Sequence, residues 1–287
     1  MPIRKKDWGW DITVNFDMFR NKVLKLNAGP GGYYDSDTWL YGNLRSQTGV
    51  GRSIYALYGT AFEKNINGQL IINPGTGLPI TTAASSANGL FVPVGDRAPD
   101  FSVGVQNTFT YKEFSLSFNL DMRRGGDVWN GTEFALYRNG LSTKTLDREV
   151  PRIIAGVLND GLQNSATPTP NNIIITPYYR NDYYQSTTST NAGVVEADFI
   201  EKDINWIRMR DITFSYRLSS GMTKKLRMKS ASFFITATDL FMITNYNGAD
   251  PSVNANNTAI GGIGGIGMDY GVIASPRGIN TGIRVAF

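Results

Sequence analysis

The stretch FSVGVQNTFTYKEFSLSFNLDM, Phe101 to Met122, decides how the rest of the chain is read. In its second half Phe114, Leu116, Phe118, Leu120 and Met122 fall on one side, with Ser115, Ser117, Asn119 and Asp121 on the other. Strand side chains alternate between faces, so this is a strand with one apolar and one polar face. Phe101, Val103, Val105, Phe109 and Tyr111 repeat the pattern in the first half, broken only by Asn107. Only Lys112 and Glu113 separate the two, which predicts a hairpin with a tight turn.

The same period recurs outward from this hairpin. Trp8, Trp10, Ile12, Val14, Phe16 and Met18 oppose Gly9, Asp11, Thr13, Asn15 and Asp17. Ile212, Phe214, Tyr216 and Leu218 alternate with Thr213, Ser215 and Arg217, and Ala231, Phe233, Ile235 and Ala237 with Ser232, Thr236 and Thr238. At the end of the sequence Ile283, Val285 and Phe287 oppose Gly282, Arg284 and Ala286. Ser53 to Phe62 is a weaker strand candidate.

The connections are very unequal. Lys112-Glu113 is minimal and Ser219 to Lys229 modest, whereas Gly125 to about Asp203 and Thr244 to Pro276 are long. Suitable residues predict helix at Thr132 to Arg138 and at Ile153 to Leu158, with the remainder reading as surface loop rich in Asn, Thr, Pro and Tyr. Traced back from Phe287, both short connections fall at one end of the strands and both long ones at the other. A half-buried sheet in a soluble protein shows the same alternation. Sorted loops, strands of roughly 9 to 11 residues, and aromatic residues near strand ends favour a wall that crosses an outer membrane.

Composition sets the exclusions. The 287 residues hold no cysteine and no histidine, which removes disulfides, cysteine-based zinc sites and histidine-dependent triads. A net charge of +4 is scattered rather than clustered, so no nucleic-acid footprint is expected. No run of 18 apolar residues marks a membrane-spanning helix, and MPIRKKDWGW lacks the apolar core of a signal peptide. GIGGIG, Gly262 to Gly267, satisfies GxGxxG in form, but without a strand before it and a helix after it the run reads as loop. Asp121, Asp127 and Glu133 have no spacing that points to glycoside hydrolysis, and neither an enzyme nor a cofactor is expected.

Several segments together resemble the C-terminal barrel portion of the SusC/RagA family of TonB-dependent outer-membrane transporters. They are PDFSVGVQNTFTYKEFSLSFNLDMRRGGDVWNGT from Pro99, WIRMRDITFSYRLS from Trp206 and ATDLFMITNYNGADPSVN from Ala237. The opening WGWDITVNFDMFRNKVLKL, VGRSIYALYGTAF and the closing MDYGVIASPRGINTGIRVAF are similar as well. The resemblance implies an all-β fold in which residues 1–287 form the C-terminal section of a 22-stranded antiparallel transmembrane β-barrel. Long loops would be extracellular and short turns periplasmic, in the outer membrane of a Gram-negative bacterium.

By the same resemblance the function is uptake of a glycan or peptide. A SusD-like lipoprotein would act as lid, and the TonB complex would act through a plug domain that this sequence does not contain, as it contains no signal peptide. A fragment, a split product and a truncated gene all fit, as do closure of about eight strands alone, completion by another chain, or an isolated chain without function. The alternatives are a small structural or adhesive outer-membrane barrel and, more distantly, a soluble sugar-binding β domain.

Two sets of site residues follow. Asn280, Gly282, Val285 and Phe287 look like the signal read by the barrel-assembly machinery, with Phe287 also an anchor in the lipid bilayer. Trp129, Tyr137, Tyr178, Tyr179, Tyr183 and Tyr184 stand among Asn, Asp and Arg in the long loops, a mixture suited to stacking on sugars and bonding their hydroxyls.

Overall fold

A computed structural model describes residues 3–27, 33–34, 44–83, 91–184, 190–252 and 265–287. Gly262 to Gly264 of the glycine run lie outside them. The dominant element is an eight-stranded sheet. We label its main strands β1 (Ile3–Arg4), β2 (Trp8–Asp17), β3 (Phe101–Tyr111), β4 (Phe114–Arg124), β5 (Trp206–Arg217), β6 (Ser230–Thr238) and β7 (Gly278–Ala286). They pair in that spatial order, each antiparallel to the next, and the short strand Met242–Thr244 pairs with β5 beside β6.

Register turns six separate alternations into two continuous faces. Val14 pairs with Val105, Val105 with Leu120, and Leu120 with Met209. Phe114 pairs with Tyr216, Tyr216 with Phe233, and Phe233 with Ile283, so the apolar set runs unbroken across the sheet. No other described element packs over it. Val14, Phe16, Phe114, Phe214, Phe233 and Ile283 are all exposed, a contiguous apolar patch of the kind that marks an interaction surface. The opposite face carries Thr13, Gln106, Ser117, Asn119, Thr213 and Thr236.

β5 contains a device that simple alternation does not reveal. Ile207 and Met209 lie on the apolar face opposite Met122 and Leu120, whereas Ile212, Phe214 and Tyr216 continue that face at even numbers. A one-residue slip would turn the whole set over. The register shift between Met209 and Asp211 absorbs it, leaving Arg210 as the extra residue of a β-bulge.

The connections sort by end. Lys112-Glu113, with Lys112 at φ 51°, and residues 218–229, with the short helix Ser220–Lys225, lie at one end. Residues 18–100, 125–205 and 239–277 all leave from the other. The aromatic pairs Trp8–Tyr111 and Phe114–Tyr216, with ring centroids 4.9 and 4.8 Å apart, sit at the short-turn end.

The long connections are not plain surface loop, contrary to expectation. They build a packed cap around Leu44, Leu57, Trp129, Phe134, Val194, Phe199, Ile200 and Met268. A four-stranded antiparallel sheet of Tyr33–Tyr34, Arg45–Thr48, Ala56–Gly59 and Val92–Asp96 belongs to the cap, so the candidate strand at Ser53 to Phe62 falls here, outside the eight-stranded sheet. Parallel pairing also joins Val128–Asn130 to Met268–Asp269, tying the second connection to the third.

Helix α1, Gly131–Arg138, forms where predicted, capped by the Asn130 side chain, which accepts from the Glu133 N–H at 2.9 Å. The expected helix over Ile153 to Leu158 does not form. Arg152–Ile153 pairs with Ile174–Ile175, and Val157–Leu158 pairs parallel with Ile71–Ile72. The β-branched Ile153, Ile154 and Val157 favour extended backbone. Gly156 permits the close approach, since a Cβ there would lie 2.5 Å from the Leu70 carbonyl oxygen.

Candidate functional site

The eight-stranded sheet and the cap each present polar surface, and buried charge joins them. On the polar face Asn119 donates to Asp211 at 2.7 Å, and the bulged Arg210 reaches Asp121 at 2.6 Å. Near the cap the buried Arg208 guanidinium pairs with Asp250 and stands 3.6 Å from Asp239. Asp250 in turn accepts from the Ser252 N–H and hydroxyl. Burial pushes the Asp250 carboxyl up, but the bonds from Ser252 and Arg208 outweigh it and hold the group below its usual range.

Arg97, almost fully buried, holds the cap together from within. Its Nε donates to the Tyr55 carbonyl at 3.0 Å and its Nη1 to the Ile266 carbonyl at 2.8 Å. Asp127 accepts from the Asp96 N–H and from Lys202 Nζ at 2.8 and 2.9 Å. Asp269 accepts from the Tyr246 hydroxyl at 2.7 Å, and burial with that bond raises the phenol far above its ordinary value. These bonds fix three sequence-distant connections as one body, which is the rigidity a binding surface requires.

The six aromatic candidates separate into different environments. Trp129 is 1% exposed, stacked on Tyr270 and tilted against Phe134, and its indole N–H finds no acceptor among the described residues. It is a packing residue. Tyr183 is also buried, against Leu78 and Ile175, with its ring so close to Gly193 that a Cβ there would stand 2.3 Å away. Tyr137 bridges core and surface, its ring 5.5 Å from Tyr184 and 5.6 Å from Phe199, with its hydroxyl pushed up chiefly by burial. Tyr179 stands 77% exposed beside Tyr178.

Tyr178 and Tyr184 come together with three arginines that sequence reasoning did not single out. They line a cavity of about 290 Å³ with Arg138, Arg148, Arg180 and Asn181. Gly140 at φ 67° turns the chain out of α1, and its carbonyl accepts from Arg148 at 3.2 Å. The Tyr178 N–H donates to the Arg148 carbonyl at 2.9 Å, and Arg138 Nε donates to the Tyr184 carbonyl at 3.1 Å. Arg180 holds Asp182 through two bonds of 2.9 and 2.7 Å, which lower the carboxyl's pKa. Guanidinium forks beside tyrosine rings suit ligands carrying hydroxyl or acidic oxygens. The run YYRNDYY held the signal, because its arginine sits between both tyrosine pairs.

The carboxylates considered for hydrolysis are all engaged: Asp121 by Arg210, Asp127 by Lys202, and Glu133 by Ser142 and Lys144. In β7, Asn280 pairs with Thr236, Gly282 with Phe234 and Val285 with Ala231. A Cβ at Gly282 would lie 2.6 Å from the Phe234 ring, over which the Arg284 guanidinium sits at 5.0 Å. Phe287 is exposed on the apolar side of the strand's end.

No protein-family model matches the chain. It is 24% identical to TonB-dependent receptor P3 of Formosa agariphila, over 99% of this chain and 27% of that protein. It is 22% identical to TonB-dependent receptor SusC of Bacteroides thetaiotaomicron, over 88% of this chain and 23% of that protein. Among solved structures, it matches the RagAB peptide importer in its open-open state with a TM-score of 0.56 and 17% identity, covering 99% of this chain and 27% of that one. The chain therefore spans about a quarter of the length of the relatives it matches. The resemblance to SusC/RagA-type TonB-dependent receptors holds along the whole chain, and the fold is all-β and mostly antiparallel.

Proposed function

We propose that this chain forms the C-terminal section of the wall of an outer-membrane β-barrel, with part of its external cap, in a SusC-like TonB-dependent transporter that imports a nutrient, a glycan or a peptide. The observation that carries this reading is the two-faced sheet with its apolar side uncovered and its packed connections all at one end. Hydrocarbon satisfies an exposed apolar face, while water and substrate meet the polar one. Long loops at one end match the external side of such barrels and short turns the periplasmic side.

The sheet's two end strands do not pair with each other among the described residues. In hydrocarbon each unpaired N–H or C=O costs several kcal/mol, so the proposal assigns further strands to both edges, up to a barrel of 22. The cap cavity with Arg138, Arg148, Arg180, Tyr178 and Tyr184 would contact the nutrient beneath a SusD-like lipoprotein. TonB would act through a plug filling the barrel, and Asn280, Gly282, Val285 and Phe287 would be read by the assembly machinery.

Heat-modifiable electrophoretic mobility and sedimentation with the outer membrane test this reading. A folded band of altered mobility in that fraction is expected. Recovery in the soluble fraction, with no such band, would contradict it.

A further inference from the structure

The apolar face ends toward the cap in two rows of side chains. The first is Met122, Ile207 and Ile243, adjacent across three strands through the pairs Ile207–Met122 and Ile207–Ile243. Two positions further along each strand stand Arg124, Asn205 and Asn245. These six residues border a cavity of about 280 Å³ that opens on the apolar face, and Ile243 within it is 67% exposed.

The polar row is partly committed. Asn205 Oδ1 accepts from the Gly125 N–H at 3.0 Å, and its amide nitrogen donates to the Asp203 carbonyl at 2.7 Å. Asn245 Oδ1 accepts from the Asn205 N–H at 2.8 Å, and its amide nitrogen donates to the same Asp203 carbonyl at 3.1 Å. Each amide keeps a second N–H. Arg124 is exposed, and its guanidinium has no hydrogen bond or ion pair with any described residue.

We infer that this groove is a lipid-binding site for a phosphate-bearing acyl lipid, the chain lying along Met122, Ile207 and Ile243 and the phosphate on Arg124 with the two Asn amides. It rests on the reading of the apolar face as lipid-facing. The chemistry is complementary on both rows: hydrocarbon meets apolar side chains, and a guanidinium with no partner among the described residues meets an anion at the height where the apolar face ends. A guanidinium binds phosphate through two parallel N–H donors, and the boundary between apolar and polar rows is where a headgroup sits. The occupant is a lipid rather than a soluble anion because the cation is contiguous with an open apolar groove.

Native mass spectrometry of the complete barrel that contains this section, purified in detergent and titrated with phosphatidic acid and with the diacylglycerol of the same acyl chains, tests the inference. One tight phosphatidic acid adduct is expected, weakened at least fivefold by Arg124→Gln and unchanged by Arg284→Gln, whose guanidinium lies on the polar face. Diacylglycerol binding should not respond to either substitution. A phosphatidic acid adduct indifferent to Arg124→Gln would overturn the site while leaving the membrane wall intact. A chain that takes up neither detergent nor lipid would overturn the lipid-facing reading, and the site with it.

Discussion

The indole N–H of Trp10 donates to the side-chain oxygen of Asn107 at 3.2 Å, between neighbouring strands on the apolar face. Asn107 is the one interruption in the alternation of β3, and it is 8% exposed beneath surrounding rings. A polar group in apolar surroundings is tolerated when its bond is made and costly when it is not. Trp10→Phe should therefore destabilise the wall by about 1–3 kcal/mol through the orphaned amide. Asn107→Val combined with Trp10→Phe should recover most of that loss, as a double-mutant cycle by urea titration in detergent would show.

The two faces should respond oppositely to charge. Leu120 lies mid-strand among Val105 and Met209 on the apolar side, and Ser117 lies on the polar side. Leu120→Arg is expected to cost roughly 2–4 kcal/mol of membrane-inserted stability, and Ser117→Arg close to nothing. Equal losses at both positions would contradict the assignment of faces.

How much of this was legible in the sequence depends on whether packing was periodic. Phe101 to Met122 announced its strands and its turn because each side chain follows its neighbour across a pleat. The bulge at Arg210 was hidden, since WIRMRDITF shows only that odd-numbered apolar residues, Ile207 and Met209, give way to even ones, Ile212 and Phe214. The cap was missed because Leu44, Trp129 and Met268 meet without a common period and from three separate connections. The arginines of its cavity were overlooked for the same reason: Arg138, Arg148 and Arg180 converge only after folding. Trp129 illustrates the opposite error, an aromatic residue in polar sequence that reads as a binding platform and turns out to be core.

That difference between core and surface aromatics is measurable. Trp129→Ala should cost about 3–5 kcal/mol and open the cap to limited proteolysis within residues 125–205, leaving the wall strands protected. Tyr179→Ala should change stability by less than about 0.5 kcal/mol. If Trp129→Ala left protease resistance unchanged, the packed cap would be in error.

Acid should loosen the joint between cap and wall. The Asp250 carboxyl is held below its ordinary value by Ser252 and Arg208 despite its burial. A depressed carboxyl stabilises the fold above its unfolded pKa of about 4 and loses that contribution as pH falls through the native value. Hydrogen exchange of Asn245 to Ser252 should therefore accelerate below about pH 4. Asp250→Asn should abolish that acid step and cost about 3 kcal/mol at neutral pH by leaving Arg208 short of its partner, with Asp239 limiting the loss.

The central claim, lipid on one side of the wall and water on the other, is tested most directly by spin labels placed singly along β4. The chain contains no cysteine, so each label reports one position without background. In bilayers, labels at residues 116, 118 and 120 should be relaxed by oxygen and those at 115, 117 and 119 by a water-soluble nickel complex, alternating with a period of two. Labels on both sets relaxed alike, or shielded from both agents, would contradict it.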